Sequence, residues 1–340
     1  MVTFVAYPPT KTILSGTHRV MIGAQNSNLG LASRLINGIL AIKPLANLAK
    51  RQARSMMIKR AKSIGVDWHQ EVQNLRSRGG ELDFDPAWSE ELKQIQNPSL
   101  IYPEYYLKPF HAYERGNLSW QAATEVEVAA LAVHSKLWSN PSAKSTMKLR
   151  GNFIAAINDR LSAPPQNILD MGCSVGISTF SLQTAYPQAQ ITGVDLSPYF
   201  LAIAKYKSQQ QDRELDSSQP IQWLHSAAES TGLPDNSCDL VTAFLLFHEL
   251  PRTAAIEIIK EARRVLRPGG YLAIMDSNPK AEGYVKMPSY ILTLLKSTEP
   301  YIDDYFTFDI EQATIDAGFT QPTISITSPR HYTLIARVTK

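Results

Sequence analysis

The chain has 340 residues, 44% hydrophobic and 19% charged, enough to bury a core across about two domains or one domain with a large extension. Its two cysteines, Cys173 and Cys238, exclude a disulfide framework and a cysteine-based zinc site, and no run reaches the roughly 18 apolar residues of a membrane span. The net charge of +3 hides an asymmetry: residues 1–66 hold ten Lys or Arg and no acid, whereas the rest, with 24 basic and 31 acidic residues, carries −7.

The opening MVTFVAYPPTKT lacks a basic stretch followed by an apolar one, so the expectation is a cytoplasmic protein. Leu31, Leu35, Ile39 and Ile42 recur at helical spacing, a second apolar set leads to Met56 and Met57, and Pro44 breaks or kinks this helix. The basic residues here (Arg34, Lys43, Lys50, Arg51, Arg54, Lys59, Arg60, Lys62) admit three readings. In order, these are a solvated outer helix face, peripheral contact with an anionic membrane, and nucleic-acid binding. The acidic body argues against the last. Residues 83–109, rich in Pro, Asn and Tyr, read as a linking or covering segment, and Ala122–Leu137 as a helix. Residues 1–144 are thus a basic, mainly helical extension or cap.

From about Ser145 onward, short apolar runs alternate with helical patterns, as a doubly wound α/β sheet requires. Strands are expected at Asn167–Met171, Gln190–Val194, Ile221–His225, Leu240–Phe247 and Tyr271–Asp276, with an antiparallel pair at Thr323–Thr327 and Tyr332–Val338. Helices are expected at Ser178–Tyr186, Pro198–Gln209 and Ala254–Leu266, the last closed by Arg267-Pro268-Gly269-Gly270. Residues 145–340 therefore read as a Rossmann-like, mostly parallel seven-stranded α/β domain.

In Ile168-Leu169-Asp170-Met171-Gly172-Cys173-Ser174-Val175-Gly176-Ile177-Ser178 an apolar strand ends in an acid, turns through glycines and enters a helix. Gly172 and Gly176 allow close backbone approach, so a ligand can rest on the carboxyl end of the first strand. Asp195, 19 residues after Gly176, stands where it can accept both hydroxyls of a ribose. A dinucleotide fold shares this pattern. A carboxylate at Asp170 suits an ammonium group, reached directly or through water, better than a pyrophosphate, which makes a NAD-dependent oxidoreductase the rival reading.

Residues from about 165 to 277 resemble class I S-adenosylmethionine-dependent methyltransferases of the small-molecule type. LDMGCSVGIST resembles the first motif and ITGVDLS the second; HSAAESTGLPDNSCDLV resembles the adenine loop running into strand four, and LRPGGYLAIMD the passage into strand five. The resemblance implies that S-adenosyl-L-methionine is the cofactor. It also implies that Asp170, Gly172, Cys173, Ser174 and Gly176 cradle the methionine end, Asp195 binds the ribose, and Leu196, Ala227 and Ala228 lie at the adenine. Ala227 departs from the Asp found in many relatives. More loosely, residues 102–120 resemble the leader of a cyanobacterial and plant-plastid subset.

Methyl transfer asks mainly for alignment and exclusion of water, with a base where the acceptor must lose a proton. His248 in Phe247-His248-Glu249 is the candidate base, with Glu249 orienting it or binding the acceptor; the competing reading makes His248 a helix cap and Glu249 a solvated charge. The aromatics Tyr102, Tyr105, Tyr106, Phe110, His111, Tyr113 and Trp120 form either an acceptor wall or a core joining the extension to the sheet. Residues 278–305 are long enough for a second wall, in which Glu299, Asp303 and Asp304 read as solvated charges. Cys173 and Cys238 read as packing residues. No metal is expected. The implied function is methyl transfer to a small acceptor, hydrophobic or lipid- and quinone-like; lipid cyclopropanation with the same cofactor and a non-catalytic cofactor-binding protein stand as further alternatives.

Overall fold

The computed structural model describes residues 42–111, 113–215 and 219–339. Seven strands, β1 (Asn167–Met171), β2 (Gln190–Asp195), β3 (Gln222–His225), β4 (Cys238–Phe244), β5 (Leu266–Ser277), β6 (Thr323–Ser328) and β7 (His331–Arg337), form one sheet in the order 3-2-1-4-5-7-6. The first five run parallel; β7 is antiparallel to both β5 and β6. The direction of winding reverses between β1 and β4, and in open α/β sheets the crevice at that point takes the ligand.

Both faces of the sheet are covered, which is why β1 and β4 are nearly continuous apolar runs rather than alternating ones. The helix before β5 shows the rule most clearly: Ala254, Ala255, Ile258, Ile259, Ala262 and Val265 fall on one buried stripe. Two boundaries differ from the sequence expectation. β4 ends at Phe244, three residues early, because Leu245 turns into left-handed backbone (φ +59°) and residues 247–249 coil into a single 3-10 turn. The Arg-Pro-Gly-Gly stretch does end the helix, at Val265, but it belongs to β5, whose pairing with β4 shifts register there.

The helices, in chain order, are α1 (Lys43–Ser63), α2 (Trp68–Ser77), α3 (Ala87–Ile95), α4 (Trp120–His134), α5 (Ser145–Asn158), α6 (Ile177–Ala185), α7 (Pro198–Leu215), α8 (Arg252–Val265), α9 (Glu282–Val285), α10 (Ser289–Thr298), α11 (Ile302–Phe306) and α12 (Ile310–Asp316). Pro44 sits in the first turn of α1, where a missing N–H costs nothing, so it opens the helix rather than kinking it. Leu31, Arg34, Leu35 and Ile39 lie outside the described residues. Side-chain caps start further helices: Asp67 accepts from the His69 and Gln70 amides at α2, Ser119 from the Ala122 amide at α4, and Asp309 from the Gln312 amide at α12.

The helices before the sheet pack onto it through a shared core. Trp88, Tyr113, Ala122 and Ala123 cluster with Val175 of the β1–α6 loop and with Phe200 and Ile203 of α7. Trp88 is fully buried, donates its indole N–H to the Arg76 carbonyl at 3.0 Å, and meets the rings of Trp120 and Tyr206 at 5.4 and 5.1 Å. The Arg78 guanidinium lies 3.9 Å from the Trp88 ring centroid. α1 is tied to α4 by an ion pair between Arg54 and the buried Glu125, which also accepts from the Tyr113 hydroxyl. Truncating Trp88 removes a large side chain from the seam between extension and sheet. Trp88→Ala is therefore expected to cost about 3–5 kcal/mol in urea unfolding. The wild-type chain should unfold in one transition by both near-UV and far-UV circular dichroism; two separated transitions would show that the extension folds as its own unit.

Candidate active site

At the carboxyl end of β1 the chain turns sharply. Gly172 (φ +67°), Ser174 (φ +51°) and Gly176 (φ +84°) all have left-handed backbone, and the glycines are also sterically required. A Cβ on Gly172 would sit 2.7 Å from Leu246 Cδ1, and one on Gly176 would sit 2.7 Å from the Trp223 ring. The loop is stitched to β2: the Cys173 amide donates to the Val194 carbonyl at 3.0 Å, and the Ser174 amide to Asp195 Oδ2 at 2.8 Å. Asp195 Oδ1 accepts from the Ser197 amide at 2.7 Å and lies 3.4 Å from the Tyr106 hydroxyl. Burial pushes Asp195 up to about 6, against the opposing pull of the Ser197 and Ser174 amides.

A single cavity of about 480 Å³ opens over this loop. Of the residues singled out from sequence, Gly172, Cys173, Ser174, Asp195, Leu196, Ala228, His248 and Glu249 all line it. Gly176 and Ala227 do not; Gly176 serves the packing of Trp223 and Phe180 instead. Asp170 is also absent from the wall. It is 1% exposed, and its two oxygens accept from the hydroxyls of Thr179 at 2.7 Å and Thr242 at 2.8 Å. Its carboxyl group braces β1 against β4 and α6 and stands behind the cavity wall rather than on it. Cys173 is buried, and burial holds its thiol well above the ordinary range, as a packing residue requires.

His248 stands on the 3-10 turn after β4, beside the end of β5. Asp276, the last acid of β5 and fully buried, accepts from the Phe247 and His248 amides at 2.8 and 3.2 Å. Its other oxygen lies 2.7 Å from His248 Nδ1, which leaves Nε2 for the cavity. Burial lowers the His248 pKa, but Asp276 overrides it and raises the group to about 9. The orienting carboxylate is therefore Asp276 and not Glu249. Glu249 instead faces His111, whose Nε2 lies 3.3 Å from Glu249 and 3.2 Å from Glu299. Burial opposes protonation of His111, yet Glu299 and Glu249 together hold its pKa well above the usual imidazole value.

Three acids at the site, two of them on its wall, had no signal in single-residue reading. Asp276 becomes visible only once β5 is registered beside β4. Glu229 follows the departed Ala227-Ala228 pair; it accepts from the Tyr105 hydroxyl and has a second oxygen buried without a partner. Glu299 was expected in solvent, but its Oε2 is likewise buried and unpaired at the cavity wall, because α10 folds back over the site. Asp303 pairs with Lys296. The aromatic cluster divides between its two readings: Tyr105, Tyr106, Phe110, His111 and Tyr113 line the cavity, whereas Trp120 packs in the core and Tyr102 stacks on Tyr106. The covering segment is pinned by His225, whose Nδ1 accepts from the Asn97 amide at 2.8 Å and whose Nε2 contacts the Leu196 carbonyl at 3.0 Å.

Much of the remaining cavity lining is apolar. Met56 and Met57 of α1, Val126 and Ala129 of α4, and Ile291 and Leu294 of α10 form its walls.

Residues 169–274 match the methyltransferase domain family. A demethylmenaquinone methyltransferase of Thermus thermophilus is 29% identical over 128 residues, covering 38% of this chain and 54% of that protein. The ubiquinone/menaquinone biosynthesis C-methyltransferase UbiE of Syntrophotalea carbinolica is 33% identical over 135 residues, covering 38% and 53%. This chain thus spans about half the length of the curated relatives it matches. Among solved structures, an S-adenosylmethionine-dependent methyltransferase from Aquifex aeolicus overlays with a TM-score of 0.43 at 19% identity, covering 57% of this chain and 93% of that one. The motifs, the sheet order and the family match agree: residues 169–274 form a methyltransferase domain.

Proposed function

We propose that the protein transfers a methyl group from S-adenosylmethionine to an apolar, hydroxyl-bearing aromatic acceptor of the quinol class. The observation that carries this is the continuity of one cavity from the Gly172–Ser174 loop and Asp195, past His248, into the chamber of Met56, Met57, Val126 and Ile291. Such a cavity offers polar groups for a donor and apolar walls for a greasy acceptor within one enclosure. The names of the relatives, which describe quinone methylation, support the acceptor class.

The residues present fit the cofactor. Asp195 ends β2 with its carboxylate on the cavity, as a ribose diol requires, and the Ser174 hydroxyl is buried beside it without a partner. The cofactor supplies an electrophilic methyl group on a sulfonium; the chain supplies position, dryness and a base. Leu196 and Ala228 give flat walls for an adenine, with Glu229 as the nearby carboxylate in place of the Asp that Ala227 replaces. Asp276 holds His248 in one orientation, and Nε2 takes the proton from the acceptor hydroxyl. Loss of that proton enriches both the oxygen and the adjacent ring carbons, so the same base serves O- or C-methylation. Residues 42–144 act as a cap whose α1 and α4 close the acceptor chamber.

The exposed face of α1 supports a peripheral role at a bilayer that would hold such an acceptor. Ile42, Leu45 and Leu48 are 53%, 41% and 61% exposed, alongside the exposed Lys43, Arg51, Lys59 and Lys62.

Three measurements test this reading. In calorimetric titration, S-adenosylhomocysteine should bind the wild type and lose at least tenfold in affinity in Asp195→Ala, while NAD gives no heat; NAD binding would overturn the cofactor. With a short-chain naphthoquinol as acceptor, the rate should rise about tenfold per unit from pH 7 and level near pH 9, because the free base is scarce below the His248 pKa. Asp276→Asn removes the charge that raises that pKa and should move the shoulder toward the ordinary imidazole value near 6.5; a shoulder that stays in place would remove His248 as the base. In co-sedimentation, vesicles containing anionic lipid should bind the chain and neutral vesicles should not, and Leu45→Asp/Leu48→Asp should abolish the difference.

A further inference from the structure

α5 carries an arginine that the fold does not explain. Arg150 is 5% exposed, yet it makes no ion pair among the described residues. Its Nη1 donates to the Thr146 carbonyl at 3.2 Å within its own helix, and its Nε is buried without a partner. The nearest structural acid, Asp170, has both oxygens occupied by Thr179 and Thr242. Burial without a counter-ion lowers the guanidinium pKa to about 10, with Asp170 and Glu127 pulling the other way. A buried, unpaired charge of this kind is costly, and proteins keep one where a ligand supplies the missing partner. The alternative partner would be solvent, but Arg150 faces the cavity and not the surface.

Its place in the fold says which end of a ligand it meets. The guanidinium carbon lies 4.5 Å from the ring centroid of Phe244, the last residue of β4. Two residues earlier, Thr242 is registered beside Asp170 on β1; two residues later, Leu246 closes over Gly172. Asp195 stands at the end of β2, on the other side of β1. A ligand whose ribose is held at Asp195 and which crosses β1 over the glycine loop therefore brings its far end to the β4 side, beside Arg150.

We infer that Arg150 is an anion-binding residue of the site, receiving the α-carboxylate of the cofactor's amino-acid end. This rests on the methyl-donor reading above. It supplies a charged contact to the methionine portion. A planar guanidinium whose Nε is left without a partner can offer that donor to a carboxylate, and the Phe244 ring lies beside it.

The test compares two ligands that differ in this one end. S-adenosylhomocysteine carries the amino-acid carboxylate, and 5′-methylthioadenosine lacks the whole amino-acid group but keeps the ribose and adenine. Both are titrated calorimetrically into the wild-type full chain, Arg150→Met and Arg150→Lys. The methionine variant keeps an unbranched apolar stem over Phe244. The expected result is a loss of about 10- to 100-fold for S-adenosylhomocysteine in Arg150→Met, the range of a charge-assisted hydrogen-bonded pair. Methylthioadenosine should change less than twofold, which shows that the variant is folded and its ribose site intact, and Arg150→Lys should recover part of the loss. Unchanged S-adenosylhomocysteine affinity would overturn the assignment and leave an anionic acceptor as the source of the carboxylate. Equal weakening of both ligands would also overturn it, since Arg150 would then only hold the loop. Binding of neither ligand to the wild type would remove the methyl-donor reading, and the assignment with it.

Discussion

Three buried carboxyl groups at one edge of the sheet organise the site. Asp170 on β1, Asp195 at the end of β2 and Asp276 on β5 are 1%, 8% and 0% exposed. A carboxylate taken out of water costs several kcal/mol unless donors surround it, so each of the three compels its neighbours into place. Asp170 draws the hydroxyls of Thr179 and Thr242, locking α6 and β4 to β1. Asp195 draws the amides of Ser174 and Ser197, which fixes the glycine loop and the start of α7 in one arrangement. Asp276 draws the amides of Phe247 and His248 together with the imidazole, which fixes the turn carrying the candidate base. Asp195 and Asp276 stand where the sheet gives way to loops whose amide groups have no strand partner.

The extension converts this edge from a surface into an enclosure. An open α/β sheet presents its ligand crevice to water, and methyl transfer is served by excluding it. α1 and α4 close one side, with Met56, Met57, Val126 and Ala129, and α10 closes another, with Ile291 and Leu294. Both lids are anchored near the chemistry. His111 bridges Glu249 beside β4 to Glu299 on α10, and its backbone amide donates to the Thr298 carbonyl at 3.0 Å. The core shared by Trp88, Tyr113, Val175 and Phe200 makes the covering helices part of the same packing as the glycine loop.

Much of this was legible in the residues. The strands follow apolar runs bounded by turns, and the loop follows from Gly172 and Gly176, whose neighbours leave no room for a Cβ. Asp195 was legible because its distance along the chain from the loop is set by one helix and one strand. The illegible parts share a cause, which is that they depend on what stands opposite. Asp170 reads like a wall residue until Thr179 and Thr242 are seen to bind it from α6 and β4. Glu249 reads like the partner of His248 until β5 is placed beside β4 and Asp276 arrives from 28 residues away. Glu299 reads like an ordinary surface charge and Arg150 stands in no motif, since nothing in a local stretch announces that the fold will turn them inward.

That last pair also shows that the cavity carries both signs of charge. Asp195, Glu229, Glu249 and Glu299 line it together with Arg54, Arg60, Lys108, Arg150 and Arg330. A sulfonium donor is a cation flanked by an amino acid and a neutral nucleoside, and it needs acids near the sulfur but a base at its carboxylate tail. A cavity of one sign would hold only one of these parts well, and in a medium of low dielectric the mismatch at the other would be severe. Charged side chains of both signs on one wall suit the two ends of such a ligand at once, so the groups that would bind it would also limit the ways it can lie.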